Sequence, residues 1–371
     1  MNILVTGGAG FIGSHLVDAL VERGHRVRIL DSLVEQVHAG RVPEYLNAAA
    51  EFVRADVCDA EAVAAALDGI DAVFHEAAEV GVTQSMYEIV RYVRANDLGT
   101  AVLLEEVVRR RDQIKKLIVT SSNTIYGEGT RECGGCGVRV DPPLRTDAEL
   151  QRREWDIKCD ACGVAMRPAG TREDRALFPT TIYAATKLAQ DQYSLAVGRA
   201  YKIPTVALRY FNVYGTRQAL SNPYTGVCAI FSARLMNGQA PVVFEDGGQM
   251  RDFTHVSDIV QANLLALDSD RADYESLNVG TGRATSVAEI ARLIAAGLGK
   301  DIEPEITGQY REGDIRHCIA DVSKISRLLG FEPKVELEDG LGVLLKWVAG
   351  AQVEDRVVKA NAELESRSLI K

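Results

Sequence analysis

Three side chains with the types and spacing of an acid–base site lie in the middle of the chain. Tyr183 and Lys187 are four residues apart in the stretch YAATK, so a helix would place both on one face. A nearby ammonium favours phenolate and lowers a phenol pKa that starts near about 10, which allows tyrosine to act as a general base. Ser122, in the upstream stretch SSNTIYG, could hydrogen-bond the reacting oxygen. We expect the three to form one catalytic site, because ligands of open α/β sheets sit where strands end.

A second group of residues has the spacing of a phosphate-binding turn. Gly7, Gly10 and Gly13 in VTGGAGFIG lie between an apolar strand and a helix. In such turns the first glycine permits the tight bend, the second lets a pyrophosphate approach, and the third packs helix against strand. Asp31 follows Gly13 by 18 residues, close to the position of an acid that accepts hydrogen bonds from a ribose and repels a 2′-phosphate. The pattern predicts an NAD site.

Two cysteine pairs form a separate group with the spacing of metal ligands. Cys133 and Cys136 stand in CGGCG, Cys159 and Cys162 stand in CDACG, and 22 residues separate the pairs. This separation is close to the roughly 15 to 20 residues of zinc ribbons, and glycine after each pair suits a metal knuckle. Four thiolates would complete a tetrahedral zinc and leave no open position, which is the arrangement of structural zinc. A redox or disulfide role and free thiols are the alternatives.

Composition and charge disfavour several other classes of function. The 371-residue chain has a formal net charge of -10, which argues against non-specific binding to nucleic acid or anionic membranes. The segment 131–175 carries nine Lys and Arg against nine Asp and Glu, so the cysteine segment lacks the positive footprint of a nucleic-acid-binding module. No apolar run approaches 18 residues and no signal peptide is visible, so we expect a cytoplasmic protein with reduced cysteines.

The elements that must position these side chains follow from hydrophobic periodicity. Apolar runs such as NILVT, RVRILD and KKLIVTSS alternate with helical patterns through the first 120 residues. This alternation predicts an α/β fold with a Rossmann-like, doubly wound parallel sheet. The pattern stops near 131 and resumes at a long helix that contains YAATK. Mixed short elements after about 214 predict a smaller C-terminal α/β domain that binds the substrate.

These breaks in the pattern predict a division of the chain into four parts. We expect an NAD-binding Rossmann domain that is interrupted by a zinc-ribbon-like insertion and followed by a nucleotide-sugar-binding domain and a polar tail. In chain numbers these parts are 1–130 and 173–213 with a returning segment near 249–261, then 131–172, then 214–248 and 262–350, then 351–371.

The ordered motifs of the chain resemble those of extended short-chain dehydrogenases/reductases of the nucleotide-sugar epimerase type. The resemblance covers nearly all of the chain outside 131–172. It is carried by TGGAGFIG, ADV, HEAA, NDLGT, SSNTIYG, YAATK, RYFNVYG, RDFTHVSD, NVGTG and REGDIR. It implies bound NAD, a nucleotide-sugar substrate and a homodimer.

The resemblance also implies roles for single residues. Tyr183 would be the base, Lys187 would hold the nicotinamide ribose, and Ser122 would be the hydroxyl partner. Asp56 and Val57 would line the adenine. The further residues implied at the cofactor are Phe11, Ile12, Ala77, Ala78, Asn96, Ser121 and Tyr210. Those implied at the substrate are Asn123, Asn212 at the diphosphate, Arg251 and Arg311 as phosphate clamps, and Asp314 at the nucleotide ribose.

The residues after Ser122 bear on the reaction. Sugar 4,6-dehydratases of this type place an Asp–Glu pair there, whereas this chain has Asn123 and Thr124, which cannot act as carboxylate acid or base. Epimerisation at C4 is therefore the expected reaction. The stretch HEAAEVGVTQSMYEIVRYVRANDLGT with the cysteine insertion resembles bacterial dTDP-L-rhamnose 4-epimerases. The alternatives are a UDP-glucose or UDP-glucuronate 4-epimerase, a 4,6-dehydratase, and a non-catalytic NAD-binding regulator.

Overall fold

Strands and helices alternate through the computed structural model, which describes residues 1–351 and 353–371. The strands, in chain order, are β1 (Asn2–Thr6), β2 (Arg26–Asp31), β3 (Glu51–Arg54), β4 (Ala72–His75), β5 (Lys116–Ser122), β6 (Arg131–Cys133), β7 (Arg139–Val140), β8 (Met166–Pro168), β9 (Gly170–Thr171), β10 (Thr205–Tyr210), β11 (Asn212–Tyr214), β12 (Val242–Val243), β13 (Met250–Arg251), β14 (Phe253–His255), β15 (Ser276–Val279), β16 (Thr285–Ser286), β17 (Glu305–Ile306) and β18 (His317–Ala320).

The helices differ widely in length, and the longest carries the YAATK stretch. They are α1 (Phe11–Glu22), α2 (Glu35–His38), α3 (Ala60–Ala66), α4 (Ile89–Tyr92), α5 (Gly99–Arg109), α6 (Asp147–Gln151), α7 (Ile182–Tyr201), α8 (Val227–Met236), α9 (Val256–Asp268), α10 (Val287–Gly297), α11 (Ser323–Leu329), α12 (Leu337–Ala349) and α13 (Val357–Ser366). A π-helical segment, Val93–Leu98, joins α4 to α5, and 3-10 turns form at Gln84–Met86 and Asn123–Tyr126. None of the helices in the described ranges is long and apolar enough to cross a membrane.

Within the described residues, seven parallel strands form the central sheet in the order β15-β10-β5-β4-β1-β2-β3. Alternate side chains of β1 point to opposite faces, as strand geometry requires. Ile3 and Val5 join a core with Leu16 of α1 and Ile259 of α9, whereas Leu4 joins the core on the other face. Helices therefore cover both faces, which confirms the Rossmann-like doubly wound fold. The strand order reverses between β1 and β4, where such sheets bind ligands.

The C-terminal part has its own small sheets and its own core. Strands β16, β13, β18 and β9 form one sheet, and β11 pairs with β14. Helices α8, α10 and α12 enclose a separate apolar cluster that includes Phe231, Ile290 and Leu344. One element differs from the expected division, because β15 at 276–279 hydrogen-bonds with β10 at the edge of the central sheet. The apolar run SLNV suits that buried edge, and the division as a whole stays a prediction.

The insertion at 131–172 is ordered around its cysteines. Strand β6 pairs antiparallel with β7 and with β8, and each cysteine pair lies next to this small sheet. The end of the insertion returns to the body of the protein, where β9 pairs in parallel with β18. The insertion is thus joined to the C-terminal part at its base.

The segment expected as a polar tail contains helix α13 and packs on the protein. Val357, Ala360 and Leu364 are buried on one face of α13. After the helix, Lys371 and Tyr310 exchange two backbone hydrogen bonds of 2.9 Å. These buried residues are spaced three and four apart, which is the pattern of an amphipathic helix. The many polar residues of the segment make this pattern easy to overlook in the sequence.

Candidate active site

The glycine turn has the backbone that a pyrophosphate site needs. Gly7 has a φ of +68°, and a Cβ there would lie 2.7 Å from the backbone N of Ala77. Gly10 begins α1 without a side-chain cap, and a Cβ at Gly13 would lie 2.3 Å from the Gly7 oxygen. The first-turn N–H groups of α1 are thus free of a capping side chain, and this end of a helix suits an anionic ligand. These residues fit a bound dinucleotide.

Asp31 ends β2 beside this turn and is 8% exposed. Its carboxylate oxygens accept hydrogen bonds from the backbone N–H groups of Ala9 at 3.0 Å and Leu33 at 2.9 Å. Each oxygen keeps a further lone pair, so the same carboxylate can order the glycine turn and accept from a ribose. The predicted ribose contact fits this geometry.

The other predicted adenine and ribose residues surround the same sheet edge. Asp56 accepts from the backbone N–H of Cys58 at 2.9 Å, and Val57 is buried. Ala77 follows β4 and donates its N–H to Thr6 Oγ1 at 3.3 Å, and Ala78 is the next residue. Ala77 and Ala78 lie just after the carboxyl end of β4, and Asp56 and Val57 lie in the turn after β3.

Asn96 and Tyr210 use their polar atoms within the protein. In the π-helical segment, Asn96 accepts from the Glu79 N–H at 2.7 Å and donates to Thr186 Oγ1 at 2.9 Å. The Tyr210 hydroxyl donates to Glu76 Oε1 at 2.9 Å. Both side chains therefore hold the loop after β4 in place, and direct contact with a cofactor stays a prediction for them. Ser121 has a buried hydroxyl without a hydrogen-bond partner among the described residues.

The catalytic hydroxyls predicted from the sequence meet in the structure. Thr181 caps α7 by accepting from the Ala184 N–H at 3.2 Å, which places Tyr183 in the first turn. Ser122 ends β5, and its hydroxyl accepts from Thr124 Oγ1 at 3.0 Å. Burial raises the pKa of Tyr183, and the nearby Ser122 hydroxyl opposes this effect. The surrounding side chains therefore do not supply the lowering of the Tyr183 pKa that we expected from the sequence.

Lys187 is buried one turn after Tyr183. Burial lowers the pKa of Lys187 to about 8, while the carboxylates of Glu76 and Asp191 act to raise it. Its Nζ donates to Gln190 Oε1 at 2.7 Å. Sequence reasoning missed Glu76 and Gln190, because neither stands in a motif that indicates a buried charge network. His75 is fully buried between the hydroxyls of Thr6 and Thr100.

A cavity of about 420 Å³ extends from the first turn of α1 and from Tyr183 toward the C-terminal part. Phe11, Ile12, Ser122 and Asn123 line this cavity. The predicted substrate residues Asn212, Arg251, Arg311 and Asp314 line it as well. The geometry thus gathers both predicted groups around one space.

The predicted phosphate residues form a charged group that we name the clamp, consisting of Arg251, Asp314 and Arg311. The Asp314 carboxylate accepts from Arg311 Nη2 at 2.7 Å and from Arg251 Nη2 at 3.3 Å. Burial would raise the pKa of Asp314, but the two arginines outweigh it and lower that pKa. Two guanidinium groups share one carboxylate, which leaves a net positive charge suited to phosphate. Asp314 is thus engaged with arginines, and its ribose contact stays a prediction.

Helix α13 closes one side of the cavity, which sequence reasoning missed. Val357, Ala360, Asn361 and Leu364 line the cavity along this helix. Arg311 bridges to the segment after α13, because Arg311 and Ile370 form an antiparallel bridge. The C-terminal segment therefore contacts the same backbone that carries the clamp.

The four cysteines of the insertion come together in two matching turns. The Gly137 N–H donates to the Cys133 carbonyl at 2.9 Å, and the Gly163 N–H donates to the Cys159 carbonyl at 2.7 Å. Both glycines have a φ of +72°, a region that favours glycine. The four sulfurs lie within 4.8 Å of one another, with Cys133 and Cys162 3.3 Å apart.

These sulfur positions fit a tetrahedral metal. A disulfide requires about 2.05 Å between sulfurs. Four thiolates at about 2.3 Å from zinc lie about 3.8 Å from one another. The remaining close pairs, Cys136 with Cys159 and Cys136 with Cys162, are 3.6 and 3.9 Å apart. Backbone N–H groups of Cys136 and Gly135 lower the pKa of Cys133 to about 6, whereas the neighbouring thiols raise the pKa of Cys136 and of Cys162. Without a metal, the group therefore favours a thiolate at Cys133 first.

A doubly wound sheet with a glycine turn and a Ser–Tyr–Lys group beside it defines a nucleotide-dependent oxidoreductase or isomerase of the short-chain dehydrogenase/reductase type. The sequence matches the model of the NAD dependent epimerase/dehydratase family at residues 3–143 and 162–280. The chain belongs to this family, which confirms the resemblance seen in its motifs. The unmatched stretch between the two ranges lies inside the insertion.

Individual relatives are similar over nearly the whole chain. A dTDP-L-rhamnose 4-epimerase of Burkholderia thailandensis is 39% identical over 94% of this chain and 95% of its own length. A UDP-glucose 4-epimerase of Thermotoga maritima, solved with UDP-glucose, is 34% identical with a TM-score of 0.77, covering 94% of this chain and 99% of that one. A UDP-glucuronic acid 4-epimerase of Bacillus cereus, solved with UDP-glucuronic acid and NAD, is 27% identical with a TM-score of 0.78, at coverages of 94% and 99%.

Proposed function

We propose that the chain is an NAD-dependent nucleotide-sugar 4-epimerase. The observation that carries this proposal is a single cavity that is lined both by Ser122 and Tyr183 and by the three residues of the clamp. A nucleotide sugar has the matching shape, because its diphosphate separates the reactive sugar from the base. Bound NAD would supply reversible hydride transfer at C4, so no external reductant would be consumed.

The side chains of the chain would move the proton and hold the substrate. Tyr183 would take the proton of the 4-hydroxyl, with Ser122 hydrogen-bonded to the same oxygen. The glycine turn and Asp31 would bind the dinucleotide, and Lys187 would hold its ribose. Burial raises the pKa of Tyr183, so the ionised phenol needs positive charge nearby, from Lys187 and from the oxidised ring. The 4-keto sugar would turn over in the cavity before it is reduced on its other face.

Two alternatives of other reaction classes receive less support. Asn123 and Thr124 line the cavity where a dehydratase needs an acid–base pair, and neither side chain can supply a carboxylate. A non-catalytic NAD-binding regulator would not need Tyr183, Lys187 and Ser122 together. The three residues are present and grouped, which favours the enzyme.

The sugar nucleotide we propose is dTDP-L-rhamnose. The support is the relative with that activity in its name and the wide extent of its similarity. UDP-glucose and UDP-glucuronate are the alternative substrates, supported by the two solved relatives.

The test is incubation of the purified protein with dTDP-L-rhamnose, UDP-glucose and UDP-glucuronate, with products identified by NMR. We expect inversion at C4 of dTDP-L-rhamnose and slower or no inversion of the UDP sugars. Loss of water to a 4-keto-6-deoxy sugar would show a dehydratase instead. No change at C4 of any of the three compounds would contradict the proposal.

We also propose that Cys133, Cys136, Cys159 and Cys162 hold a structural zinc ion. The support is the four-sulfur group and the paired turns that aim backbone N–H groups at it. Metal analysis of the pure protein should find about one zinc per chain, the content of a four-thiolate site. Cys159→Ser should lower that content, whereas Cys228→Ser, at a buried cysteine outside the group, should not. A metal-free and fully stable wild type would contradict the zinc site.

A homodimer is the assembly we propose. Helix α4 and the π-helical segment after it expose a row of apolar side chains, of which Val90 is 80% exposed and Ile89, Val93 and Leu98 are more than a third exposed. Exposed apolar patches of this kind mark protein interfaces. Light scattering should give twice the chain mass for the wild type and a smaller mass for Val90→Glu. A monomeric wild type would contradict the dimer.

We propose a cytoplasmic location for the protein. The cysteines of the described residues form no disulfide, and cysteines stay reduced in that compartment. Fractionation of the native cells should place the protein with soluble cytoplasmic markers.

A further inference from the structure

The clamp is held by the short segment 314–317. Arg251 Nη1 donates to the Arg316 carbonyl at 2.9 Å, and Arg251 Nη2 donates to the Ile315 carbonyl at 2.7 Å. The Asp314 carboxylate completes the set of acceptors and also pairs with Arg311. The position of both guanidinium groups therefore depends on the position of this segment.

The insertion in turn holds the segment 314–317. Arg145, between β7 and α6, donates to the Asp314 carbonyl at 3.4 Å. Arg131 donates to the His317 carbonyl at 3.2 Å. Asp156, after α6, accepts from Arg316 Nε at 2.9 Å. Arg145 and Arg131 thus bind backbone carbonyls at the two ends of this segment, and Asp156 binds the side chain of Arg316 within it.

Arg145 supports Arg311 from two sides. Arg311 pairs with Asp314 and stacks on the ring of Phe244, with its Cζ 4.8 Å from the ring centroid. Arg145 contacts Asp314, and its Nη2 also donates to the carboxylate of Glu245, the residue after Phe244, at 2.9 Å. One guanidinium therefore links the two supports of the arginine that we place at the phosphates.

These contacts are buried and cannot be replaced by water. The side chains of Arg145 and Glu245 are 3% and 2% exposed, and Glu128, 3.4 Å from Arg145 Nε, is fully buried. Removing one member of a buried charge group leaves an unpaired charge, so the group holds a single arrangement. Arg145 Nη2 donates to both Glu245 and Asp314, while Nε of the same guanidinium faces Glu128 at 3.4 Å. Lysine keeps the charge but is a compact ammonium, so it cannot place one nitrogen at the first two acceptors and another at Glu128.

We propose that the cysteine-bearing insertion is a positioning module for the phosphate clamp and that Arg145 is its positioning residue. The clamp's task rests on the function proposed above. In this arrangement the insertion does not contact the reacting sugar. It sets the affinity for the nucleoside diphosphate part of the substrate, while Ser122 and Tyr183 perform the chemistry independently of it.

The test compares Arg145→Lys and Arg145→Met with Arg152→Met in the full-length protein. Arg152 lies in the same insertion and pairs with Glu154 on the surface, with its side chain 57% exposed. Calorimetry with UDP and with dTDP measures binding without turnover, and bound NAD, kcat and KM for the epimerised sugar nucleotide are measured alongside. We expect both Arg145 variants to bind the nucleoside diphosphate at least about tenfold more weakly, with a similar rise in KM. NAD content and kcat should change little, and Arg152→Met should resemble the wild type.

A second variant keeps the test informative if Arg145→Met does not fold. Asp156→Asn removes only the charge that pairs with Arg316, and it should weaken nucleoside diphosphate binding in the same direction. Unchanged nucleoside diphosphate affinity in folded Arg145→Lys and Asp156→Asn would overturn the proposal, as would a loss of kcat and NAD content equal to the loss of affinity. A wild type that binds neither UDP nor dTDP would overturn it as well. A protein that binds them but inverts no sugar would refute the epimerase and leave the positioning role intact.

Discussion

The cofactor-binding and substrate-binding parts of the active site, which we call the cofactor end and the substrate end, are built in different ways. At the cofactor end, Gly7, Gly13 and Asp31 come from one strand–turn–helix–strand unit, and their contacts are mainly with backbone atoms. At the substrate end, Arg251 and Arg311 are held by the segment 314–317, which is itself held by charged side chains from distant parts of the chain. The first end depends on local backbone shape, and the second depends on long-range buried charge.

This difference predicts which substitutions affect which ligand. Loss of a partner destabilises a buried charge even when that partner is distant in the chain. Substitution of a distant residue can therefore change the affinity of the substrate end. Backbone N–H groups at a helix start need no remote partner, so the cofactor end should respond only to changes in its own turn. Each end can therefore be altered without the other.

The largest effect should come from the residue between the two ends. Tyr183→Phe removes the proposed base, and kcat should fall by about 10² to 10⁴-fold, the usual contribution of a general base. Bound NAD and UDP or dTDP affinity should stay close to those of the wild type, because neither end loses a contact. Kinetics and calorimetry on the same preparation check this. Tyr193→Phe, at an exposed tyrosine of α7, is the matched control. Full activity of Tyr183→Phe would remove the proposed base.

The cofactor end could be predicted from the sequence because its signals are local. Gly7, Gly10 and Gly13 lie in one turn, and Tyr183 and Lys187 lie in one helix, so spacing alone places them. The fold class followed from strand–helix alternation for the same reason. Glu76 was missed, because a buried carboxylate beside Lys187 is the product of packing between β4 and α7 and has no spacing of its own.

A smaller effect, limited to the cofactor end, should follow Gly13→Ala. The added Cβ would lie 2.3 Å from the Gly7 oxygen, so the turn must move away from the pyrophosphate position. Overpacking of this kind costs about 1 to 3 kcal/mol, which corresponds to a loss of NAD affinity of about five- to 150-fold. Nucleoside diphosphate affinity should not change. Gly342→Ala, where a Cβ has open space, is the control. Equal losses of both ligands would show that the two ends are coupled.

The substrate end was only partly predictable. The motifs indicated Arg251 and Arg311, and the structure brings both to the cavity. Their supports, Arg145 and Glu245, are 100 residues apart in the chain, and no local pattern reports such a pair. Helix α13 was expected as a polar tail, because its few apolar residues are spaced for one face and diluted by charged neighbours.

A chain that ends at Val353 should weaken the substrate end alone. It loses the wall formed by Val357, Asn361 and Leu364 and the bridge from Ile370 to Arg311. We expect UDP or dTDP to bind about ten- to thirtyfold more weakly, equivalent to about 1.4 to 2 kcal/mol, with NAD content unchanged. Val358→Ala, on the exposed face of α13, is the matched control. Unchanged nucleoside diphosphate affinity after truncation would exclude α13 from the substrate site.

The smallest effect concerns the response of the cofactor end to acid. His75 is buried beside β1, and burial together with the charge of Lys187 lowers the pKa of His75 to about 3. The unfolded chain takes up this proton near about pH 6.5, whereas the folded protein does not, so stability falls as the pH drops from 6.5 toward 3. Between pH 7 and 5.5 the loss from His75 should be about 1 kcal/mol. His75→Gln keeps hydrogen-bonding groups and should unfold in urea with a flatter pH dependence than the wild type. His25→Gln, at a partly exposed site where burial lowers the histidine pKa less, should flatten it much less. The same dependence of unfolding free energy on pH in all three proteins would mean that His75 takes up its proton in the folded state. The cofactor end would then admit water to His75 despite the contacts that bury it.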